Sequence, residues 1–432
     1  MNKLMILGGV AALGIGLLGA AGYRVLKNFV EPPASLAPLA GSPAPAATRP
    51  AGEADHGFIY GRVTVVNGTT YEGRLRFGGD EEAFWGDTFI GVKHENPWLA
   101  YLTPEQMPKQ SHSVELFGWK LAEHTRLLDV TRPFRARIGE VARIDAQGKV
   151  LRVTLKEGSV VDLNRSDASG FDGGVRVWDA RGTPHLDALY VRTIELLPTM
   201  AVADPPTRLY GTVRSRQGDF TGFVAWNLEK RVGSDELDGS GDDVRFDTIR
   251  SIERHSHNSS RVTLTDGRDI VLASTNDVGD GNRGVVVEDP RYGRVTVSWE
   301  TFERVDFAPA DSGPGYGDFS PGSEISGTLT TRDGRTLTGR LVYDLDESRT
   351  TETVDGSFEG VDYSIPFGMV ASIVPSSEHP TRVTLLNGAE LQLEWNSDVG
   401  EQNAGELVFT KDGAKPEYVA WADVRRIDLD RP

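Results

Sequence analysis

The chain repeats itself, and the repeat limits its fold more than any other feature. "YGRVTVVNGTTYEGRLRF" begins at Tyr60, "YGTVRSRQGDFTGFVAW" at Tyr210 and "SGTLTTRDGRTLTGRLVY" at Ser326. Each runs Gly-x-Val/Leu, a glycine turn, then Gly-x-Val/Leu-x-aromatic, closing on Phe77, Trp226 and Tyr343. A short apolar close follows, at Ile138, Val141 and Ile144, at Phe246, Ile249 and Ile252, and at Phe367, Val370 and Ile373. A second half then opens with "VTLKEG", "VTLTDG" or "VTLLNG", from Val153, Val262 and Val383. It ends on a similar close at Val191, Phe302 and Val424. Internal self-similarity of this kind is the mark of a repeat architecture.

The spacing within each half predicts strands. Val262 and Leu264, then Ile270 and Leu272, alternate as half-buried strands do. Asn67-Gly68, Asp266-Gly267, Asp333-Gly334 and Asn387-Gly388 mark tight hairpins, because these residues tolerate positive φ. The expected fold is all-β: three tandem repeats, each of two small, strongly bent antiparallel barrel-like halves. They are placed at 58–198, 209–308 and 325–430, and an N-terminal apolar helix and a linker precede them. A half such as "RVTLTDGRDIVLASTNDV", closing in "VSWETFERVDF", resembles a small barrel of the Sm-like or SH3-like kind. The resemblance implies the barrel and nothing about RNA, because the basic-glycine signature near the closing strand is missing.

Leu4 to Tyr23 is an uncharged run with Lys3 before it and Arg24 and Lys27 after it. As a helix it would reach about 30 Å, the thickness of a bilayer core. Residues 1–23 therefore read as a membrane anchor or a signal peptide, and 24–57 as a Pro/Ala-rich tether. Both readings place the folded part in the cell envelope. The chain has no cysteine, so it forms no disulfide. Its formal net charge of -17 repels phosphate backbones, and nucleic acid is not an expected partner.

Aligning the second halves brings "SDASGFDGG", "NDVGDGNRG" and "SDVGEQNAG" together. What recurs is an aspartate and a glycine: Asp167 with Gly174, Asp277 with Gly284, and Asp398 with Gly405. A calcium loop needs oxygen ligands at alternate positions, and Val278 stands at one of them. These residues are expected to hold turns. His255 and His257 have a spacing that can hold zinc, but a site needs three or four ligands. No metal or other cofactor is expected. The chain carries no G-K-[ST], G-x-S-x-G or H-E-x-x-H motif.

The first repeat differs from the others in length. From closing aromatic to apolar close it spans 61 positions, against 20 and 24 in the second and third. About 40 residues are thus inserted within 78–137, carrying Trp85, Trp98 and Trp119 with His94, His112 and His124. Trp85, Phe89, His94 and Trp119 are the candidate partner-facing residues, and Trp98, followed by "LAYL", is expected to pack inward. The expected function is non-enzymatic: an envelope binding or scaffold protein that presents β-repeats to a protein, peptide or glycan. It touches the membrane through residues 4–23 if these are not removed. The alternative is a hydrolase of an envelope polymer, with Glu82, Asp87 or Glu95 as its acids.

Overall fold

The computed structural model describes residues 57–431, apart from 79–80, 85, 108, 117–118, 128–131, 169–170, 201–204, 240–242, 274, 311–312, 377–379, 395–397 and 412–414. Of 109–127 and residue 172 it describes the backbone alone. The apolar run 4–23 and nearly all of the tether lie outside the described residues, as do Trp85 and His379. Among the described residues every regular element is a strand or a short 3₁₀ turn, so the fold is all-β. Among the described residues no helix is long and apolar enough to cross a membrane.

The first repeat contributes β1 (Tyr60–Val65), β2 (Thr70–Phe77), β3 (Thr88–Lys93), β4 (Lys109–Leu116), β5 (Trp119–Leu127), β6 (Arg132–Arg137), β7 (Val141–Gln147), β8 (Val150–Leu155), β9 (Val160–Asn164), β10 (Val175–Asp179), β11 (His185–Leu186) and β12 (Val191–Leu197). The second has β13 (Tyr210–Ser215), β14 (Gly218–Ala225), β15 (Glu236–Asp238), β16 (Asp243–Arg245), β17 (Ile249–Ser256), β18 (Ser259–Leu264), β19 (Asp269–Ala273), β20 (Val285–Asp289), β21 (Gly293–Val297) and β22 (Phe302–Phe307). The third has β23 (Ser326–Thr331), β24 (Thr336–Val342), β25 (Thr353–Phe358), β26 (Val361–Pro366), β27 (Val370–Val374), β28 (Thr381–Leu385), β29 (Glu390–Leu393), β30 (Glu406–Thr410), β31 (Glu417–Val419) and β32 (Val424–Leu429).

One antiparallel order recurs three times. It reads β9-β8-β7-β12-β1-β2-β10-β11, then β19-β18-β17-β22-β13-β14-β20-β21, then β29-β28-β27-β32-β23-β24-β30-β31. The two halves of a repeat are therefore woven together. The opening hairpin of the first half lies between the last strand and a middle strand of the second. In addition, β21 pairs with β26, so the second sheet continues into the third repeat.

The recurring glycines explain this weave. Gly61 faces Gly73 across β1 and β2, Gly211 faces Gly222, and Gly327 faces Gly339. A Cβ on Gly73, Gly222 or Gly339 would fall 1.9, 2.0 or 2.1 Å from the carbonyl oxygen of Trp178, Glu288 or Phe409. On the opposite side, a Cβ on Gly211 would fall 2.4 Å from the Asp306 oxygen. Both neighbouring strands press on the glycine pair, and no side chain fits between them.

Alternate strand residues fill two cores. Ile59, Leu75, Phe84, Ile144, Leu151 and Val177 build that of the first repeat, and Phe319, from the connection between repeats 2 and 3, joins them. Repeats 2 and 3 share one core, from Leu209 through Trp226 and Tyr343 to Ile427. In the first repeat β3 pairs with β6 as β25 does with β26, so the inserted segment proper is 94–131.

Candidate functional site

The strands that flank the insert, β3 and β6, carry two faces. Phe89, Phe134 and Ala136 turn into the first core. Phe89 is 4% exposed and packs edge-on against Phe134, with ring centroids 6.5 Å apart. This corrects its reading as a partner-facing residue: a strand paired with β6 must bury alternate side chains. Lys93 and Arg132 face each other across the pair and point instead to the third repeat.

There they meet the turn Tyr343-Asp344-Leu345-Asp346-Glu347. Lys93 bonds Asp346 and lies 3.7 Å from Glu352, while Arg132 reaches Asp344 at 3.5 Å. The Asn96 side-chain amide donates to the Leu345 carbonyl at 2.9 Å, and Arg135 pairs with Asp355. Burial works against the Lys93 ammonium, but Asp346 and Glu352 outweigh it and hold its pKa above the ordinary lysine value. Burial also pushes the Asp344 carboxyl up to about 7, with Arg132 pulling the other way.

Beyond these ion pairs the insert makes a 3₁₀ turn, Pro97–Tyr101, capped by the Asn96 side chain. Trp98 meets Phe409 of the third repeat edge-on at 6.2 Å, and Tyr101 meets the same ring at 5.4 Å. The Arg340 guanidinium lies 3.8 Å from the centre of the Phe409 ring. Trp98 therefore packs half-buried on the third repeat, while Tyr101 stays 47% exposed. Beside them runs a groove of about 310 Å³, lined by Glu95, Trp98, Glu140, Glu157, Glu324 and Arg340 among others. Burial raises Glu140 against the pull of Arg137, and the nearby Glu157 adds to the rise.

A larger cleft of about 1090 Å³ lies where the three repeats meet. Each of its five arginines is held by a carboxylate: Arg135 by Asp355, Arg137 by Glu140, Arg231 by Asp87, Arg283 by Glu229 and Arg294 by Glu288. The acids of the hydrolase reading are now placed. Asp87 is buried 2.7 Å from Arg231, and Glu82 is buried between Arg74 and Arg76 at 3.6 and 3.8 Å. Glu95 is exposed at the groove. Buried carboxylates clamped by guanidinium groups act as joints between elements more readily than as proton donors.

The aspartate turns form two types. Asp277 accepts from the Asn227 side chain at 2.7 Å and the Asp238 amide at 3.1 Å, with Lys230 at 3.5 Å. Its own carbonyl accepts from the Trp226 indole at 2.9 Å. Asp398 accepts from the Asp355 amide at 2.8 Å, and its carbonyl accepts from the Tyr343 hydroxyl at 2.6 Å. Asn282 and Asn403, which the sequence reading passed over, complete these loops. Each donates to the aspartate carbonyl and accepts from the amide of Gly284 or Gly405. Gly284 and Gly405 sit at φ 121 and 92, a region closed to most residues.

Asp167 is of the other type. It is exposed, and it bonds Asn164 at 3.1 Å and His94, the first inserted residue, at 2.9 Å. Those two hydrogen bonds hold its carboxyl below the ordinary aspartate value. Gly174 is at φ 82, and its Cβ would fall 2.5 Å from the Leu186 oxygen. His255 and His257 are exposed on β17 and the turn after it. Among the described residues no three His, Cys, Asp or Glu groups form a metal site. Of the remaining partner-facing candidates, Trp119 opens β5, where only the backbone is described, and Trp85 is outside the described residues.

Compared with known proteins, the chain matches no family model, no curated protein and no solved structure.

Proposed function

We propose that this is a non-enzymatic binding or scaffold protein of the cell envelope, exported and held near a membrane by residues 4–23. Its partner, a protein, peptide or glycan, engages the groove between the insert and the third repeat. One observation carries this reading: Tyr101 is exposed against Phe409 and Trp98, and Trp98 lines a groove that also carries charged groups. An aromatic platform with arginine beside it is the kind of surface that concentrates binding energy. The net charge of -17 argues against nucleic acid as that partner.

The test titrates envelope peptides and soluble envelope glycan fragments against the wild type and Tyr101→Ala. We expect Tyr101→Ala to weaken binding by about 2 kcal/mol or more, with the melting temperature kept. Binding that ignores Tyr101, or no binding by the wild type, sinks the reading.

The hydrolase reading has support of its own in the same groove. Glu140 and Glu157 both line it, and one Glu157 oxygen is buried without a hydrogen-bond partner. On that reading Glu157→Gln keeps polymer binding and loses cleavage. A wild type that cleaves no envelope polymer removes it.

A further inference from the structure

The three most exposed large apolar side chains among the described residues are Leu189, Tyr190 and Val66, at 72, 61 and 57%. They stand together. The Val66 amide donates to the Tyr190 carbonyl at 2.8 Å, where the β1–β2 turn lies against the 3₁₀ turn Ala188–Tyr190 that precedes β12. The Asp187 side chain caps that turn by accepting from the Leu189 amide at 2.7 Å, so the backbone under the apolar groups is fixed. Single exposed apolar residues are ordinary, but three side by side on two joined turns need a reason.

The other repeats build the same corner without them. The Arg216 amide donates to the Thr301 carbonyl at 3.2 Å, and the Arg332 amide to the Asp423 carbonyl at 2.8 Å. By these bonds Val66 matches Arg216 and Arg332, Leu189 matches Glu300 and Ala422, and Tyr190 matches Thr301 and Asp423. Arg216, Glu300, Arg332 and Asp423 are exposed and charged, Ala422 is small, and Thr301 is buried. The place of Ala188 is held there by Trp299 and Trp421, both buried. The first repeat thus keeps the small residue inside and turns its aromatic ring, Tyr190, to the outside.

Shape separates the partners such a corner could meet. Neither cavity described above is lined by Val66, Leu189 or Tyr190. The corner is a knob, and its neighbours Asn67, Asp187 and Arg192 are exposed and polar. A protein partner would need a socket for the knob and roughly 800 Å² of matching surface around it. A lipid surface asks for no such fit. An apolar tip enters the acyl boundary, a tyrosine sits at headgroup depth, and polar flanks stay in water.

The corner also belongs to the repeat that directly follows residues 1–56. β1 carries the chain from Tyr60 to Val65, about 17 Å at the rise of a strand. A chain as long as residues 24–56 reaches about 30 Å even as a random coil. The corner is therefore in range of any membrane that holds residues 4–23, and tethering of this kind makes a weak second contact effective.

We propose that Val66, Leu189 and Tyr190 form a membrane-contact tip that stands the first repeat on the lipid surface. The tip rests on the anchoring by residues 4–23 proposed above. With a formal net charge of -17 on the chain, the attraction is apolar and needs no anionic lipid.

The chain has no cysteine, so one introduced cysteine takes a single environment-sensitive fluorophore. The full-length protein labelled at Leu189→Cys is added to phosphatidylcholine vesicles with and without a quencher on the acyl chains. Glu300→Cys and Ala422→Cys, at the same corner of the other repeats, are the controls. We expect the lipid-borne quencher to lower the Leu189→Cys emission several-fold and to leave the controls nearly unchanged. Val66→Arg with Tyr190→Thr, which writes the repeat 2 residues into exposed positions, should bring the quenching at Leu189→Cys down to that of the controls. Equal quenching at all three positions overturns the tip. A protein that enters the vesicles without quenching at Leu189→Cys overturns the tip and leaves the anchor standing, and one that stays in solution overturns both. Emission that shifts without lipid as protein concentration rises would assign the corner to a second copy. A shift that requires an added envelope protein would assign it to a protein partner, and either result overturns the membrane tip.

Discussion

The second and third repeats are joined by apolar surface and backbone, while the first is joined to both of them by charge. Between repeats 2 and 3 the β21–β26 ladder runs on, and Val295, Val297, Val361 and Tyr363 lie in a common core. The first repeat meets its neighbours through Arg231 with Asp87, Arg294 with the Gly86 carbonyl, Lys93 with Asp346 and Arg132 with Asp344. Apolar contacts supplement these bonds at two places: the Phe319 ring crosses into the first core, and Trp98, Leu99 and Leu102 of the insert pack on the third repeat. The difference matters because an apolar joint is indifferent to pH, whereas a joint of buried charges depends on every partner staying in place. It also locates the adjustable part of the molecule in the repeat that carries the insert.

The largest effect should separate the two kinds of joint. Gly222→Ala puts a methyl 2.0 Å from the Glu288 oxygen, and Gly73→Ala puts one 1.9 Å from the Trp178 oxygen. Neither backbone can yield, so each change should cost about 4 kcal/mol or more. Gly222→Ala should unfold repeats 2 and 3 in one transition, while Gly73→Ala should unfold the first repeat and leave the shared core standing. Calorimetry reads this directly. A single transition lost in both variants would mean that the two joints are equally strong.

Arg231→Ala attacks the charged joint. It leaves Asp87, 2% exposed, without its guanidinium, which typically costs about 3–5 kcal/mol. The loss should be partly recovered in Arg231→Ala with Asp87→Asn, because the uncompensated charge is then gone. A double variant as unstable as the single one would mean that packing, and not charge, makes this joint.

Much of this was legible in the chain, and the limit has a physical cause. The glycine pairs, the Asn-Gly hairpins and the apolar alternation are local, and they recur at matching places in the repeats. The charged joint is neither local nor repeated: Lys93 and Asp346 are 253 positions apart. Only one trace of it stood in the sequence. Lys230, Arg283 and Val285 become Glu347, Ala404 and Glu406 in the next copy, an imbalance that some other segment has to answer. Phe89 was misread for the opposite reason. It lies within 78–137, but in a strand that the other repeats also possess.

A smaller effect compares the turns within the joints. Asp277→Ala removes the acceptor of Asn227 and of the Asp238 amide and leaves Lys230 with Asp238 as its remaining ion-pair partner. We expect a loss of about 2–3 kcal/mol, measured by denaturant melting. Asp277→Asn should recover part of it, since an amide oxygen still accepts. If Asp277→Ala costs nothing, the loop is held by Asn282 and its glycine, and the aspartate is incidental.

The smallest effect is the most telling for the first repeat. Asp167 occupies the place of Asp277, yet its carboxylate is open to water and its main new partner is the imidazole of His94. The other copies offer a backbone amide from the strand that matches β3, Asp238 or Asp355. In the first repeat β3 runs on into the insert, and the His94 side chain just beyond it supplies a bond instead. An exposed bond of this kind adds little, because water replaces either partner. His94→Ala and Asp167→Ala should therefore leave the melting temperature unchanged. The information lies in what else they change. If the pair aims the insert toward the groove, both variants should weaken partner binding to the same degree, and the double variant no further. A fall in melting temperature in Asp167→Ala as large as in Asp277→Ala would show that the first turn is as structural as its copies, and the contrast between the repeats would then rest on their joints alone.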